Sequence, residues 1–176
     1  MNGVEIRGEN MGILSSLYES CIHAKEAQKM VSESSDSPSD SWFGIHNLDT
    51  SYFCSRLCNT FVEEVLKPSQ NTKITGFKEI RFLNKNKMWL DAYIHFLFNY
   101  FPNSFVIFYH ADVEKVVKTG FWKEENYKNL LPTLRELDQW MHACHQHYPD
   151  RTLSLYDNDF IKNLNIGKTI KAFIDI

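Results

Sequence analysis

Residues 105–123, FVIFYHADVEKVVKTGFWK, constrain this chain more than any other stretch. Phe105, Val106, Ile107, Phe108 and Tyr109 form an unbroken apolar and aromatic run, the pattern of a strand buried on both faces in a parallel sheet. Asp112 stands where it caps a helix, Val113, Val116 and Val117 share one face, and Gly120 supplies a left-handed stop. The stretch is therefore a strand, a sharp turn and a helix. Its turn falls at the carboxyl end of the strand, the edge where open α/β sheets gather helix amino-termini and bind ligands.

The rest of the chain repeats that alternation. Val4, Glu5, Ile6 and Arg7 read as a short strand, and Asn10 caps a helix running to about Val31 with Leu14, Leu17, Cys21 and Ala24 in one stripe. Residues 32–41, SESSDSPSDS, are too polar to pack and read as a mobile connector. Asp49 caps a helix on which Phe53, Leu57, Phe61 and Val65 recur every four residues, and Pro68 ends it. Cys54 and Cys58 lie one turn apart on that helix and read as small core residues rather than metal ligands. Residues 73–82, KITGFKEIRF, form the next strand, followed by a helix over residues 88–101 carrying Leu90, Ile94, Leu97 and Phe101. Residues 124–147 are mostly helical, with Leu130, Leu134, Leu137, Trp140, Met141 and Cys144 as the stripe and Pro132 opening or kinking the second half. TLSLY at 152–156 alternates as a strand, and two short helical pieces finish the chain. This order predicts an α/β fold of three layers with a mainly parallel sheet, in a single domain spanning residues 1–176.

Composition narrows the function. A 43% hydrophobic and 14% aromatic content supplies a substantial core. The net charge of -3 and a sequence pI near 6.2 argue against a partner that is nucleic acid or an anionic membrane. No apolar run reaches the roughly 18 residues of a spanning helix, and the amino-terminus shows no signal-peptide core, so the expected location is cytoplasmic. Cys21, Cys54, Cys58 and Cys144 are too few and too irregular for a disulfide framework.

Chemistry-bearing residues gather in three places. Lys78, Glu79 and Arg81 arrive as the strand of residues 73–82 leaves the core, either as an ion-paired strand end facing water or as a cation projected into a ligand crevice and held by a carboxylate. His142, Cys144, His145 and His147 lie near a helix end, but no CxxC or HExxH context completes a tetrahedral metal set, and histidines there also suit the helix dipole. Gly167, Lys168 and Thr169 spell the end of a phosphate-binding loop, yet Lys162 occupies the place of its first glycine, so the match is chance.

GFKEIRF at 76–82, followed by the central unit at 105–123, resembles the sulfotransferase family, in particular its bacterial and carbohydrate-type members. RGEN at 7–10 leading into a helix, WFG at 42–44, and Tyr156-Asp157 are similar to the same family's other segments, so the resemblance covers most of the chain. It implies a P-loop-like fold and transfer of a sulfuryl group from 3′-phosphoadenosine 5′-phosphosulfate to a carbohydrate or small hydroxyl acceptor. Such transfer needs cations on non-reacting oxygens and a base for the acceptor proton. For that chemistry Lys78 and Arg81 are expected to supply charge, Lys78 as a catalytic cation and Arg81 toward the nucleotide, with Glu9 or Glu79 as the base; the resemblance adds Thr119, and His110 as a stand-in, at the nucleotide.

Two departures accompany the likeness. The family's glycine- and serine-rich loop, which cradles the 5′-phosphosulfate, belongs upstream of Arg7, where this sequence has six residues and no such loop; the sheet is expected to be incomplete at its amino-terminal strand. At the end of the central strand the family places an arginine, and a serine eight residues on; here Ala111 stands for the arginine and Thr119 for the serine, with His110 alongside. A neutral imidazole is a weak replacement for a guanidinium clamp. The sequence therefore reads as a truncated or degenerate member. Its rival reading is a non-catalytic binding or scaffold module that keeps the fold, with a second copy or a complementing subunit as partner.

Overall fold

The computed structural model describes residues 3–30, 37–118, 127–157 and 166–174. It is a mixed α/β protein with short parallel sheets. Contacts divide the chain into two compact units, Met1–Arg81 and Phe82–Ile176.

In the first unit the order is β1 (Val4–Arg7), α1 (Ile13–Met30), a 3-10 turn (Ile45–Asn47), α2 (Thr50–Thr60), a π-helical turn (Phe61–Leu66) and β2 (Ile74–Phe77). The caps follow from local amide chemistry. Asn10 Oδ1 accepts from Ile13 N at 3.0 Å, and Asp49 Oδ1 accepts from Tyr52 N at 2.9 Å, each satisfying an amino-terminal donor with no helical partner. α1 packs on α2, burying Leu14, Tyr18 and Cys21 from one and Cys54 and Cys58 from the other. Cys54 and Cys58 are core residues, as expected, whereas Phe53, Leu57 and Val65 are only half-buried. Phe61 is fully buried and meets Phe77 edge-to-face at 5.3 Å; burying such a ring is worth about 1.5–3 kcal/mol.

β1 and β2 pair in parallel, Val4 opposite Ile74 through Arg7 opposite Phe77. β2 is shorter than the sequence pattern suggests. It ends at Phe77, because Lys78 is the last residue whose amide finds a β1 carbonyl, that of Arg7 at 3.1 Å. The residues that follow turn away on hydrogen bonds to the Glu79 side chain.

The second unit contains α3 (Lys87–Tyr100), β3 (Val106–His110), α4 (Val113–Val116), α5 (Tyr127–His147), β4 (Thr152–Tyr156) and α6 (Ile166–Ile174). Asn86 caps α3 through Trp89 N at 2.9 Å, and Asp112 caps α4 through Glu114 N at 3.1 Å. β3 and β4 are parallel, from Val106 opposite Thr152 to His110 opposite Tyr156. Leu90 and Ile94 of α3, Phe108 of β3, and Trp140 and Cys144 of α5 make the core, with Phe108 edge-on to Trp140 at 5.7 Å. Trp140 Nε1 donates to Asp91 Oδ1 at 2.8 Å, which satisfies the indole in an otherwise apolar setting.

Burial of β3 on both faces is not what the structure shows. Phe108 and His110 are buried, while Ile107 and Tyr109 on the opposite face are 40% and 50% exposed. An apolar run does not distinguish a strand covered on one face from one covered on two. The Ser/Asp-rich connector is described from residue 37, where Asp40 Oδ1 accepts from Trp42 N; residues 32–36, the proposed stop at Gly120 and the first of the two terminal helical pieces lie outside the described residues. Gly167, Lys168 and Thr169 fall inside α6.

Candidate functional site

Each unit carries one cluster of polar side chains at the carboxyl ends of its parallel strands. In the first, the chain leaves β1 through Gly8, Glu9 and Asn10 and leaves β2 through Lys78, Glu79, Ile80 and Arg81. Because the strands are parallel, both exits lie on the same edge. Glu9 bridges the cations, Oε1 to Lys78 Nζ at 3.1 Å and Oε2 to Arg81 Nη1 at 2.8 Å. The hydrogen bonds from Arg81 and then Lys78 hold its carboxyl below the ordinary glutamate range.

Glu79 does different work. Its side chain is buried, and its oxygens accept backbone hydrogen bonds from Ile80 at 2.8 Å, Arg81 at 2.9 Å and Gly12 at 3.0 Å. The Gly12 amide is brought round by two successive left-handed residues, Met11 (φ 60) and Gly12 (φ 74), the second of which carries no Cβ penalty. Arg7 completes the edge. Its Nε donates to Leu66 O at 2.8 Å and its Nη2 to Lys67 O at 2.9 Å, satisfying carbonyls where the π-helical turn ends. Lys78 and Arg81 are thus held on a stiff edge with accessible heads, able to meet a tetrahedral oxyanion.

The second cluster is built on β3, β4 and α5. His110, the last residue of β3, is buried; its Nδ1 lies 2.7 Å from Asp138 Oδ1 and its Nε2 3.0 Å from Ser154 Oγ. His142, one turn beyond Asp138 on α5, stacks on His110 with ring centroids 4.1 Å apart and puts Nε2 3.6 Å from Asp138 Oδ2. Tyr156 stacks on His110 at 4.8 Å. Asp157, just past β4, accepts from Tyr109 Oη and, at 3.2 Å, from Asp112 N, so it ties the two strand ends together. Those donors keep the Asp157 carboxyl low, and the same contact pushes the Tyr109 phenol up.

Protein-family models, curated proteins and solved structures contain no match to this chain.

Of the residues singled out from sequence, Glu9, Lys78, Glu79 and Arg81 come together in the first unit. His110 belongs to the second cluster, and Ala111 beside it is half-buried and brings no charge. Thr119 lies outside the described residues. His142, Cys144 and His145, grouped near the end of α5, do not assemble into a metal set. Cys144 is buried in the core and His145 Nδ1 engages Thr152 Oγ1 at 2.8 Å, while His142 turns to Asp138 and His110. Asp138 and Ser154 join this cluster without a motif in the sequence that marks them. The four-residue spacing of Asp138 and His142 on a helix was the available signal.

Proposed function

We propose that this chain is a sulfotransferase-like domain on a three-layer, P-loop-like α/β fold with a mainly parallel sheet. Its reaction is transfer of a sulfuryl group from 3′-phosphoadenosine 5′-phosphosulfate to a hydroxyl of a carbohydrate or small acceptor. The observation that carries this reading is the pairing of Lys78 and Arg81 on Glu9 at the carboxyl edge of the parallel pair β1 and β2. Both cations are side chains of accessible turns, and a sulfonate or phosphate arriving there exchanges one carboxylate for its own oxygens. In the transfer the acceptor oxygen forms the new bond to sulfur, and the bond from sulfur to the phosphate oxygen breaks with its electron pair leaving on the bisphosphate. The acceptor proton passes to a carboxylate. Glu9, more exposed than Glu79 and released from its two cations by the incoming anion, fits that base role better than Glu79, whose oxygens are taken by three backbone donors.

The proposed setting is the cytosol, supported by four free, buried thiols; among the described residues no helix is long and apolar enough to cross a membrane. Calorimetric titration with adenosine 3′,5′-bisphosphate, the spent donor, tests the reading. Micromolar binding that Lys78→Ala and Arg81→Ala each weaken by about tenfold or more is expected, about 1.4 kcal/mol per tenfold. No binding at millimolar nucleotide overturns it.

A second reading, a non-catalytic binding module that retains the fold, is favoured by one observation. Both ring nitrogens of His110 are already engaged, by Asp138 and Ser154, and Ala111 supplies no cation for a nucleotide phosphate. On this reading Ala111→Arg creates no nucleotide affinity. A second copy or a complementing subunit is then the expected partner.

A further inference from the structure

We propose that His110, Asp138 and His142 form a binding site for a divalent transition metal, with zinc the best fit to its ligands. The site rests on these side chains alone and not on the sulfuryl-transfer reading. One ring nitrogen of His110, one of His142 and a carboxylate oxygen of Asp138 all lie within 4.8 Å of one another. Zinc held by two imidazoles and a carboxylate has bonds of about 2.0–2.2 Å, which places ligand atoms roughly 3.3–3.6 Å apart in a tetrahedron. Asp138 Oδ2 lies 3.6 Å from His142 Nε2, already that separation, and Asp138 Oδ1 lies 2.7 Å from His110 Nδ1; these are the two oxygens of one carboxylate, so an ion binds across both or after the carboxylate pivots to present one of them.

The surroundings suit a metal in three ways. Asp138 and His142 sit one helical turn apart on α5, so two ligands share a stiff element, and the third comes from the end of a strand. His110 carries an outer partner of the kind metal-bound histidines use, Ser154 Oγ at 3.0 Å from its far nitrogen. Without metal, Nδ1 donates to Asp138 and Nε2 accepts from the Ser154 hydroxyl; with metal on Nδ1, the ring proton moves to Nε2 and donates to Ser154 Oγ. Neither the carboxylate nor the serine loses its partner. Access is open from one side, since the His142 side chain is 43% exposed and that of Asp138 30%, against 4% for His110. That leaves a fourth position for water or a ligand atom, the arrangement of an open zinc site.

Hydrogen bonding accounts for His110 and Asp138, and to that pair His142 adds a second imidazole stacked against His110 and Tyr156. His142 is too exposed to add much packing, yet its Nε2 is aimed at the carboxylate that His110 already uses, with the two rings stacked at 4.1 Å. Two imidazoles and one carboxylate gathered here supply a neutral-ligand pair and a counter-charge for a dication, once the half-exposed His142 ring pivots out of its stack on His110 so that both in-plane lone pairs meet at one point.

The test is titration of the purified chain with Zn²⁺ alone by calorimetry, and with Co²⁺ followed by its visible absorption. One equivalent of zinc binding at micromolar or tighter affinity, with an intense tetrahedral cobalt band, is expected. His142→Ala, at a half-exposed position that leaves the core intact, should weaken binding by at least about 100-fold, and Ser154→Ala by about 10–100-fold. Asp138→Asn serves as a second ligand variant, with thermal melting of each variant confirming that it folds. Absence of saturable zinc binding at about 100 µM, or binding that survives His142→Ala and disappears in His145→Ala, overturns the assignment.

Discussion

Glu79, in the turn that follows β2, accepts a hydrogen bond at 3.0 Å from the backbone N–H of Gly12, which lies 67 positions earlier in the chain. One buried carboxylate therefore joins the turn after β1 to the turn after β2 and fixes the edge on which Lys78 and Arg81 stand. Glu79→Ala orphans three backbone donors at once and is expected to destabilise the first unit by about 2–4 kcal/mol, while Glu79→Gln, which keeps one acceptor oxygen, costs less. Urea denaturation of the two variants checks the order; equal stability of Glu79→Ala and the parent would remove the strut.

Glu9 gives a pH dependence with a definite sign. Its folded pKa lies below 4.5 because Arg81 and Lys78 donate to the ionised form. A depressed carboxyl contributes its stability above the unfolded pKa and loses it as pH falls through the folded value. The parent is thus expected to lose stability more steeply than Glu9→Gln between about pH 5 and pH 3, by a small margin because the pair is exposed. Denaturation midpoints across that range measure it, and identical slopes would show that the ion pairs are not formed in solution.

The thiols should be silent in the native protein. Burial pushes Cys58 up to about 12, Cys144 up to about 11 and Cys21 higher still, and a thiol reagent reacts with thiolate. At about pH 8, Ellman's reagent is expected to modify less than one of the four cysteines before unfolding and all four in denaturant. Rapid modification of two or more in the native state would contradict this packing.

Arg151, just before β4, holds the second unit's loop through a fork. Its Nε donates to Ser104 O at 2.9 Å and its Nη2 to Phe101 O at 3.3 Å, with the guanidinium 4.3 Å from the Phe98 ring centroid. A lysine keeps the charge but not the planar fork, so Arg151→Lys is expected to cost about 1–2 kcal/mol in chemical denaturation. A cost within error of zero would mean that charge alone suffices there.

Local chemistry was readable from sequence, and long-range register was not. Asn10, Asp49 and Asp112 announce their helices because a cap needs only a side-chain oxygen and an amide two or three residues on. β1 and β4 are found for the same reason, since their patterns are short and bounded by turns. The end of β2 at Phe77 depends on how far β1 extends beside it, which no property of residues 78–82 reveals. The cluster at His110 is harder still. It requires β3 and β4 to pair so that His110 meets Tyr156, and α5 to present Asp138 and His142 to that strand end. A histidine that looked like a poor phosphate ligand in sequence is, in the fold, one member of a three-residue constellation.

The parallel pairing of β1 and β2 has a consequence for synthesis. Val4 pairs with Ile74, seventy positions on, so no nascent hairpin can shelter β1. At roughly 5–20 residues per second, β1 emerges some 4–14 seconds before its partner and spends that time with its ladder unmade. The wait is a kinetic exposure to mispairing, in which Arg7, a charged residue at the end of the strand, acts as a gatekeeper until Leu66 and Lys67 arrive to receive its guanidinium. The clasp that finishes the fold is also what guards it on the way.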